Sequence, residues 1–249
     1  MNPFDLSGTV AVVTGARRGI GRGIAEALAA AGADIIAASS QQESGGGAVG
    51  DAVRALGRSF TGHAVDFTDR TAVREFGETV AGADILVNNA GTIRRAPAAE
   101  HPVEWWDEVI QVNLSAQFLL SQIVGRGMLE RGAGRVIFTA SLLSFQGGIN
   151  VPGYTAAKSG VAGLVAALSN EWVGRGVTVN GIAPGYIATD NTEALREDPE
   201  RSRAILERIP AGRWGTPADL GGAAVFLASP AAAYVSGTIL PVDGGWLAR

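Results

Sequence analysis

The stretch "TVAVVTGARRGIG" at residues 9–21 joins a short apolar run to a glycine-rich turn. An apolar run without polar alternation is typical of a parallel strand that is covered on both faces. The glycines permit a tight turn and a close approach of the backbone to a pyrophosphate, whose charge the amides of a following helix stabilise. Gly15, Gly19 and Gly21 lack the spacing of the commoner dinucleotide fingerprint, so a purely structural turn is the alternative.

The same alternation of apolar runs and helical stretches continues along the sequence. Six further strands are predicted at residues 33–38, 60–65, 84–87, 135–140, 177–182 and 238–242. Helices are predicted at about 19–31, 70–81, 103–129, 154–174 and 217–228. Because apolar strands that alternate with helices form parallel sheets, we expect one α/β domain over residues 1–249. This domain is a Rossmann-type, doubly wound fold with a seven-stranded parallel sheet and helices on both faces.

A polar helical stretch at residues 184–210 interrupts the alternation after the sixth strand. Ligands of open parallel sheets bind beyond the carboxyl ends of the strands, where this insertion lies. We therefore predict a small helical substrate lid, with a pair of ordinary surface helices as the alternative.

The composition argues against several classes of function. The formal charge is −4 and the longest basic runs are two arginines, so a nucleic-acid surface is not expected. The chain has no cysteine and only His63 and His101 as histidines, so we predict no metal site. The N-terminal segment lacks a signal-peptide pattern, and no apolar run is long enough to span a bilayer. We expect a cytoplasmic protein with no membrane partner.

The stretch "GYTAAKSGV" at residues 153–161 places Tyr154 four residues before Lys158. Residues at this spacing share one face of a helix, so the ammonium can lie beside the phenol. A neighbouring positive charge lowers the pKa of a tyrosine and makes it a better acid–base catalyst. The alternative is a helix in which the aromatic ring packs and the lysine is solvated.

Further motifs occur with this pair in a fixed order, and together they resemble the short-chain dehydrogenase/reductase family over essentially the whole chain. They are "TGARRGIG" at 14–21, Asp66, "NNAG" at 88–91, Asn113 in "QVNLS", Ser141, "YTAAK" at 154–158 and "PGYIAT" at 184–189. The resemblance implies that Tyr154 exchanges a proton while hydride passes between the substrate carbon and a nicotinamide. It also implies that Ser141 orients the substrate, Lys158 holds the ribose hydroxyls, and Asn113 supports a proton-relay water, with a helix-interior hydrogen bond as the alternative for Asn113.

The resemblance further implies a set of cofactor-binding residues. They are Gly15, Arg17, Arg18, Gly19, Ile20, Gly21, Ser39, Asp66, Phe67, Asn88, Ala90, Gly91, Tyr154, Lys158, Pro184, Gly185, Ile187 and Thr189. At the end of the second strand, where an acid favours NAD and an arginine favours NADP, the chain has Ser39 and Ser40. Arg18 indicates NADP, whereas the group of relatives described next mostly uses NAD. We expect NAD, with NADP as the alternative.

The second half of the chain is similar to the bacterial 2-deoxy-D-gluconate 3-dehydrogenases, also described as 2-dehydro-3-deoxy-D-gluconate 5-dehydrogenases. The similarity rests on "SFQGGINVPGYTAAKSGV", "IAPGYIATDNTEALR", "ILERIPAGRWGTP" and "VDGGWLAR". It implies a role in pectin and uronate breakdown and a deoxy sugar acid as the substrate whose keto or hydroxy group reacts. Such a substrate needs a group that holds its carboxylate.

Arginine binds a carboxylate through two parallel hydrogen bonds, and Arg94 and Arg95 follow the "NNAG" turn. Their alternative partners are solvent, Glu100 and Glu104. We expect four more side chains to contact sugar hydroxyls: Gln146, Asn150, Asn191 and Arg213.

Other functions remain as alternatives. The first is an NADPH-dependent reductase of a 3-oxoacyl thioester or another small ketone, and the second is a dinucleotide sensor or scaffold without turnover. Family members commonly form tetramers, so we expect a homotetramer with Trp246 and Arg249 at a subunit interface.

Overall fold

The computed structural model describes residues 2–249 and contains one parallel sheet with the strand order β3-β2-β1-β4-β5-β6-β7. The strands are β1 (Val10–Thr14), β2 (Asp34–Ser39), β3 (Phe60–Ala64), β4 (Ile85–Asn88), β5 (Gly134–Thr139), β6 (Val177–Pro184) and β7 (Ile239–Val242). All six pairings are parallel. The predicted seven-stranded parallel sheet is confirmed. The order in which successive strands are added reverses between β1 and β4, where α/β folds bind ligands.

The helices lie on both faces of this sheet. They are α1 (Gly19–Ala30), α2 (Gly47–Ala55), α3 (Arg70–Thr79), α4 (Val103–Ile110), α5 (Ala116–Arg131), α6 (Pro152–Trp172), α7 (Glu193–Glu197), α8 (Pro199–Arg208) and α9 (Gly221–Ala228). The predicted helix at 103–129 is divided, because the π-helical turn Gln111–Ser115 separates α4 from α5. Helix α2 was not predicted, since it begins in a glycine run, with Gly46 at φ +84°.

Two apolar clusters cover the two faces of the sheet. Along β1, Val12 belongs to one cluster and its neighbour Val13 to the other. In β5, Phe138 belongs to the same cluster as Val12, and Ile137 belongs to the same cluster as Val13. Both faces of the sheet are therefore buried from solvent, which explains why the strand sequences are continuous apolar runs.

The polar insertion at 184–210 contains α7 and α8 and packs on the C-terminal residues. Trp246 is 5% exposed and shares a cluster with Ile205 and Ile209 of this insertion. The Tyr186 ring lies 4.7 Å from the Trp246 ring, centroid to centroid. The prediction of Trp246 at a subunit interface was therefore wrong, because its own chain buries it beneath α8.

Membrane-spanning helices and metal-binding clusters are both absent from residues 2–249. No helix within residues 2–249 has the length and apolar character of a membrane span. Within these residues, no cluster of three or more histidine, aspartate and glutamate side chains could hold a metal ion.

Candidate active site

An open groove of about 530 Å³ runs along the carboxyl ends of β1 to β5. Its lining residues are Gly15, Arg17, Arg18, Gly19, Ile20, Gly21, Ser39, Ser40, Gln41, Asp66, Phe67, Thr68, Asn89, Ala90, Gly91, Thr92, Ile93, Arg95, Glu108, Val112, Asn113, Thr139, Tyr154, Lys158, Thr189, Asp190, Asn191 and Thr192. Most of the residues expected to bind cofactor are among them. The groove therefore brings together the glycine-rich turn, the Tyr154/Lys158 pair and the start of the insertion.

Helix α6 carries Tyr154 and Lys158 on one face, as their spacing predicts. The ammonium of Lys158 lies 5.5 Å from the centre of the Tyr154 ring and donates a hydrogen bond of 2.5 Å to the carbonyl of Thr139. Ser141 follows the end of β5 by two residues, its Oγ accepts a 3.1 Å hydrogen bond from the amide of Leu143, and its hydroxyl lies near the Tyr154 phenol. The end of β5 and the start of α6 thus hold Ser141, Tyr154 and Lys158 together.

Burial is the largest cause of the pKa shifts of Tyr154 and Lys158. It raises the pKa of Tyr154 above its ordinary value, while the neighbouring Ser141 hydroxyl and the charge of Arg95 act in the opposite direction. Burial also lowers the pKa of Lys158 from 10.5 to about 8. The prediction that Lys158 lowers the pKa of Tyr154 therefore differs from the structure, in which Arg95 supplies the opposing charge.

Asn113 lies in the π-helical turn and is fully buried. Its Nδ2 donates to the carbonyls of Thr92 and Val109, both at 2.8 Å. Its Oδ1 accepts no hydrogen bond within residues 2–249, and a Cβ on Gly91 would lie 2.7 Å from it. The helix-interior hydrogen bond is thus present, and Oδ1 is a buried acceptor that lies beside Gly91 without a partner among these residues.

The glycine-rich turn has the close packing that a phosphate-binding turn requires. Gly15 and Gly19 adopt φ values of +67° and +56°, which favour glycine. A Cβ on Gly21 would lie 2.2 Å from the carbonyl oxygen of Gly15. These constraints, with the N-terminus of α1 facing the groove, fit a bound dinucleotide.

Four of the residues expected to bind cofactor lie elsewhere. Asn88 is fully buried, and its Nδ2 donates to Ser121 Oγ at 2.8 Å, so that Asn89 lines the groove in its place. Pro184 ends β6, and Gly185 and Ile187 line a separate, smaller cavity beside Asp243. From the "PGYIAT" motif, Thr189 lines the groove.

The two arginines predicted to bind a carboxylate have different partners. Arg94 forms two hydrogen bonds to Glu108, of 2.9 and 3.0 Å, and its guanidinium lies 5.7 Å from the centre of the Trp105 ring. Arg95 lines the groove, and its Nη2 lies 3.4 Å from the carbonyl of Asn191. Arg94 is therefore already paired, whereas Arg95 lines the groove and has a single hydrogen-bond partner within residues 2–249.

The other predicted substrate residues do not all lie at the groove. Asn191 lines the groove, but Arg213 is held by two hydrogen bonds of 2.8 Å to Asp219 and lines the smaller cavity. Gln146 and Asn150 lie outside the groove lining. Asn150 has φ +62°, and its carbonyl accepts a 3.0 Å hydrogen bond from the amide of Ala96.

Comparisons with known proteins agree with this geometry. Residues 15–247 match a family described as enoyl-(acyl carrier protein) reductase. The chain is 60% identical to a 2-dehydro-3-deoxy-D-gluconate 5-dehydrogenase of Pseudoalteromonas atlantica, with full coverage of both chains. The chain belongs to the short-chain dehydrogenase/reductase family. It is an oxidoreductase with the family's Rossmann-type fold.

Two solved structures of this family are similar to the chain. One, from Agrobacterium tumefaciens, is provisionally described as a 2-deoxy-D-gluconate 3-dehydrogenase with bound NADP; it is 54% identical, covers 100% of both chains and has a TM-score of 0.95. The other is a gluconate 5-dehydrogenase of Burkholderia cenocepacia in complex with NADP and tartrate. It is 37% identical, covers 100% of this chain and 98% of the other, and has a TM-score of 0.93.

The sequence motifs of this family did not reveal every residue that shapes the groove. Asn89 Nδ2 donates to the carbonyls of Thr14 and Gly15, at 2.9 and 3.3 Å, so it ties the β4 turn to the glycine-rich turn. Thr139 Oγ1 donates to Asn89 Oδ1 at 3.1 Å. The repeated asparagine in "NNAG" was the available signal, but a strand shifted by one residue from the predicted 84–87 puts Asn88 inside the core.

Proposed function

We propose that the chain interconverts a keto and a hydroxy group of a deoxy sugar acid, as a 2-dehydro-3-deoxy-D-gluconate 5-dehydrogenase or a 2-deoxy-D-gluconate 3-dehydrogenase. The observation that carries this proposal is the position of Arg95, whose cation shares the groove with Tyr154. A sugar acid presents a carboxylate for such a cation and a carbonyl for the phenol. The names of the similar proteins support the same substrate class.

In the proposed mechanism, Ser141 and Tyr154 bind the substrate oxygen. The raised pKa of Tyr154 keeps its phenol protonated at neutral pH, so that Tyr154 can donate a proton to a carbonyl oxygen. When bound in this groove, a nicotinamide cofactor would supply or accept the hydride. Lys158 lines the groove and is positioned by its hydrogen bond to the Thr139 carbonyl, so it would hold the ribose of that cofactor. Asn113 keeps an acceptor available for a relay water.

We favour NADP(H) over the NAD that the sequence resemblance implies. Ser39, Ser40 and Gln41 line the groove at the end of β2, so no carboxylate at these positions repels a 2′-phosphate. Arg17 lies nearby and donates to Gln41 Oε1 at 3.0 Å. The proteins with known structures described above were solved with NADP.

Replacing Ser39 by aspartate is expected to reverse this preference. The new carboxylate would repel a 2′-phosphate but accept hydrogen bonds from a ribose, so kcat/KM for NADPH should fall about tenfold and that for NADH should not fall. Initial rates with both cofactors at a fixed sugar acid measure the ratio. Ser44→Asp is a matched control that adds the same carboxylate to an exposed serine outside the groove lining. An unchanged NADPH/NADH ratio in Ser39→Asp would contradict the assignment.

The Arg95 proposal predicts a selective defect. For Arg95→Ala, kcat/KM for reduction of 2,5-diketo-3-deoxygluconate should fall about 10- to 100-fold, the range for loss of a charged hydrogen bond. Arg95→Lys should retain part of the activity because it keeps the charge. A small ketone without a carboxylate should show little change, and it serves as the internal control. Equal losses on the charged and the neutral ketone would count against carboxylate binding by Arg95.

The runner-up is reduction of a 3-oxoacyl thioester by the same Ser141, Tyr154 and Lys158. The family description names an acyl-carrier-protein substrate, which supports this alternative. A pantetheine arm has no carboxylate beside its carbonyl, however, so it leaves the charge of Arg95 without a role. Turnover of an acetoacetyl thioester that exceeds that of the sugar acid would favour the runner-up.

Four further expectations belong to this proposal. Residues 184–210 act as the substrate lid, since Asp190 and Asn191 border the groove at its start. The chain forms one domain and functions in the cytoplasm as a homotetramer. Exposed apolar side chains on α4 and α5, Val103, Trp106 and Phe118, supply surface for subunit contacts.

A further inference from the structure

A buried amide on α5 contacts the wall of the groove from behind. Gln117 is the second residue of α5, is 2% exposed and does not line the groove. Its Nε2 donates a 2.9 Å hydrogen bond to the carbonyl oxygen of Ala90. Ala90 itself lines the groove, so Gln117 contacts the groove wall only through this backbone carbonyl.

The backbone of Ala90 is held on both sides. On the β1 side, the amides of Asn89 and Ala90 both donate to Thr14 Oγ1 at 2.9 Å. On the α5 side, Gln117 binds the carbonyl. These contacts fix the two peptide planes that flank Ala90, and the second plane leads directly into Gly91.

The second polar atom of the Gln117 side chain is the amide oxygen. Its Oε1 is buried and accepts no hydrogen bond within residues 2–249. Burying an amide oxygen without a donor costs free energy, and an apolar side chain of the same length would avoid that cost. An apolar side chain would, however, also leave the Ala90 carbonyl without its side-chain donor, so the hydrogen bond to Ala90 is the favourable contribution of glutamine at this position.

We propose that Gln117 is a positioning residue that fixes the Ala90 carbonyl and thereby shapes the groove wall for the nicotinamide cofactor. The inference rests on the proposed use of this groove by the cofactor. It assigns a role in cofactor affinity to a side chain that touches neither the cofactor nor the substrate.

Gln117→Met tests this role, because methionine has a similar length but no donor. The KM and Kd for NADPH should rise about 3- to 10-fold, as expected for loss of one hydrogen bond, while kcat at saturating cofactor stays within about twofold. The Tm of the cofactor-free protein should change little, because loss of the unpartnered Oε1 offsets loss of the donor to the Ala90 carbonyl. Kd is measured from NADPH fluorescence, and Gln117→Leu provides a second apolar variant.

Ser121→Ala is the matched control from the next turn of α5. Ser121 is fully buried, but it accepts from Asn88 Nδ2 and does not contact Ala90. Its replacement should lower Tm while the Kd for NADPH stays within about twofold. The inference is overturned if both Gln117 variants bind NADPH like the wild type, or if their affinity falls only together with a loss of Tm. If the wild type binds neither NADPH nor NADH, the proposed function fails instead.

Discussion

Tyr154→Phe is expected to lower kcat by about 10³-fold, within the range for loss of a general acid. The change removes one hydroxyl and leaves the ring on α6 in place. The Kd for NADPH should stay within about threefold, because the proposed cofactor contacts of this helix come mainly from Lys158. Single-turnover reduction of the sugar acid, followed by loss of NADPH absorbance, measures the chemical step directly.

Tyr186→Phe is a suitable control for this substitution. The Tyr186 ring packs against Trp214 and Trp246, at centroid distances of 5.5 and 4.7 Å, and lines the smaller cavity rather than the groove. Loss of its hydroxyl should change kcat by less than about threefold. A Tyr154→Phe protein as active as the Tyr186→Phe protein would refute the assignment of Tyr154 as the acid.

Lys158→Met is expected to lower kcat/KM by about 10²-fold or more, because it removes the donors that hold the ribose beside Tyr154. Stability should respond in the opposite direction. Lys158 is 2% exposed, and methionine of similar length removes the cost of a buried ammonium. The Tm of cofactor-free Lys158→Met at pH 7 should therefore equal or exceed that of the wild type.

The pH dependence of stability gives an independent readout. Since the folded pKa of Lys158 is about 8 and its ordinary value is 10.5, the unfolded chain binds more protons between these pH values. The free energy of unfolding of the wild type should therefore rise relative to Lys158→Met as pH increases from about 8 to 10.5. Urea unfolding of both proteins at several pH values checks the sign, and an opposite slope would contradict a depressed pKa.

Sheet topology and the Tyr154/Lys158 pair were predictable because each depends on local, periodic sequence signals. Parallel strands buried on both faces leave continuous apolar runs, and a spacing of four places two side chains on one helix face. The π-helical turn at Gln111–Ser115 left no such signal. It adds one residue to a helical turn whose apolar pattern reads as continuous.

The hydrogen-bond partners of side chains around the groove were less predictable, because they depend on which segments the fold brings together. Glu100 and Glu104 are closer to Arg94 in sequence, yet Glu108 binds it because α4 directs that carboxylate towards the loop. Arg213 likewise pairs with Asp219, which also caps the short helix Pro217–Leu220. Consecutive arginines in sequence therefore say little about which one remains free for a ligand.

Lys158 also determines how the protein responds to covalent chemistry. It is the single lysine of the chain and is 2% exposed. Within residues 2–249, an amine-directed reagent such as a succinimidyl ester therefore finds no lysine on the surface. Acylation of a lysine in this protein would modify the groove itself, so the rate of side-chain labelling would measure access to Lys158 and its protection by bound cofactor.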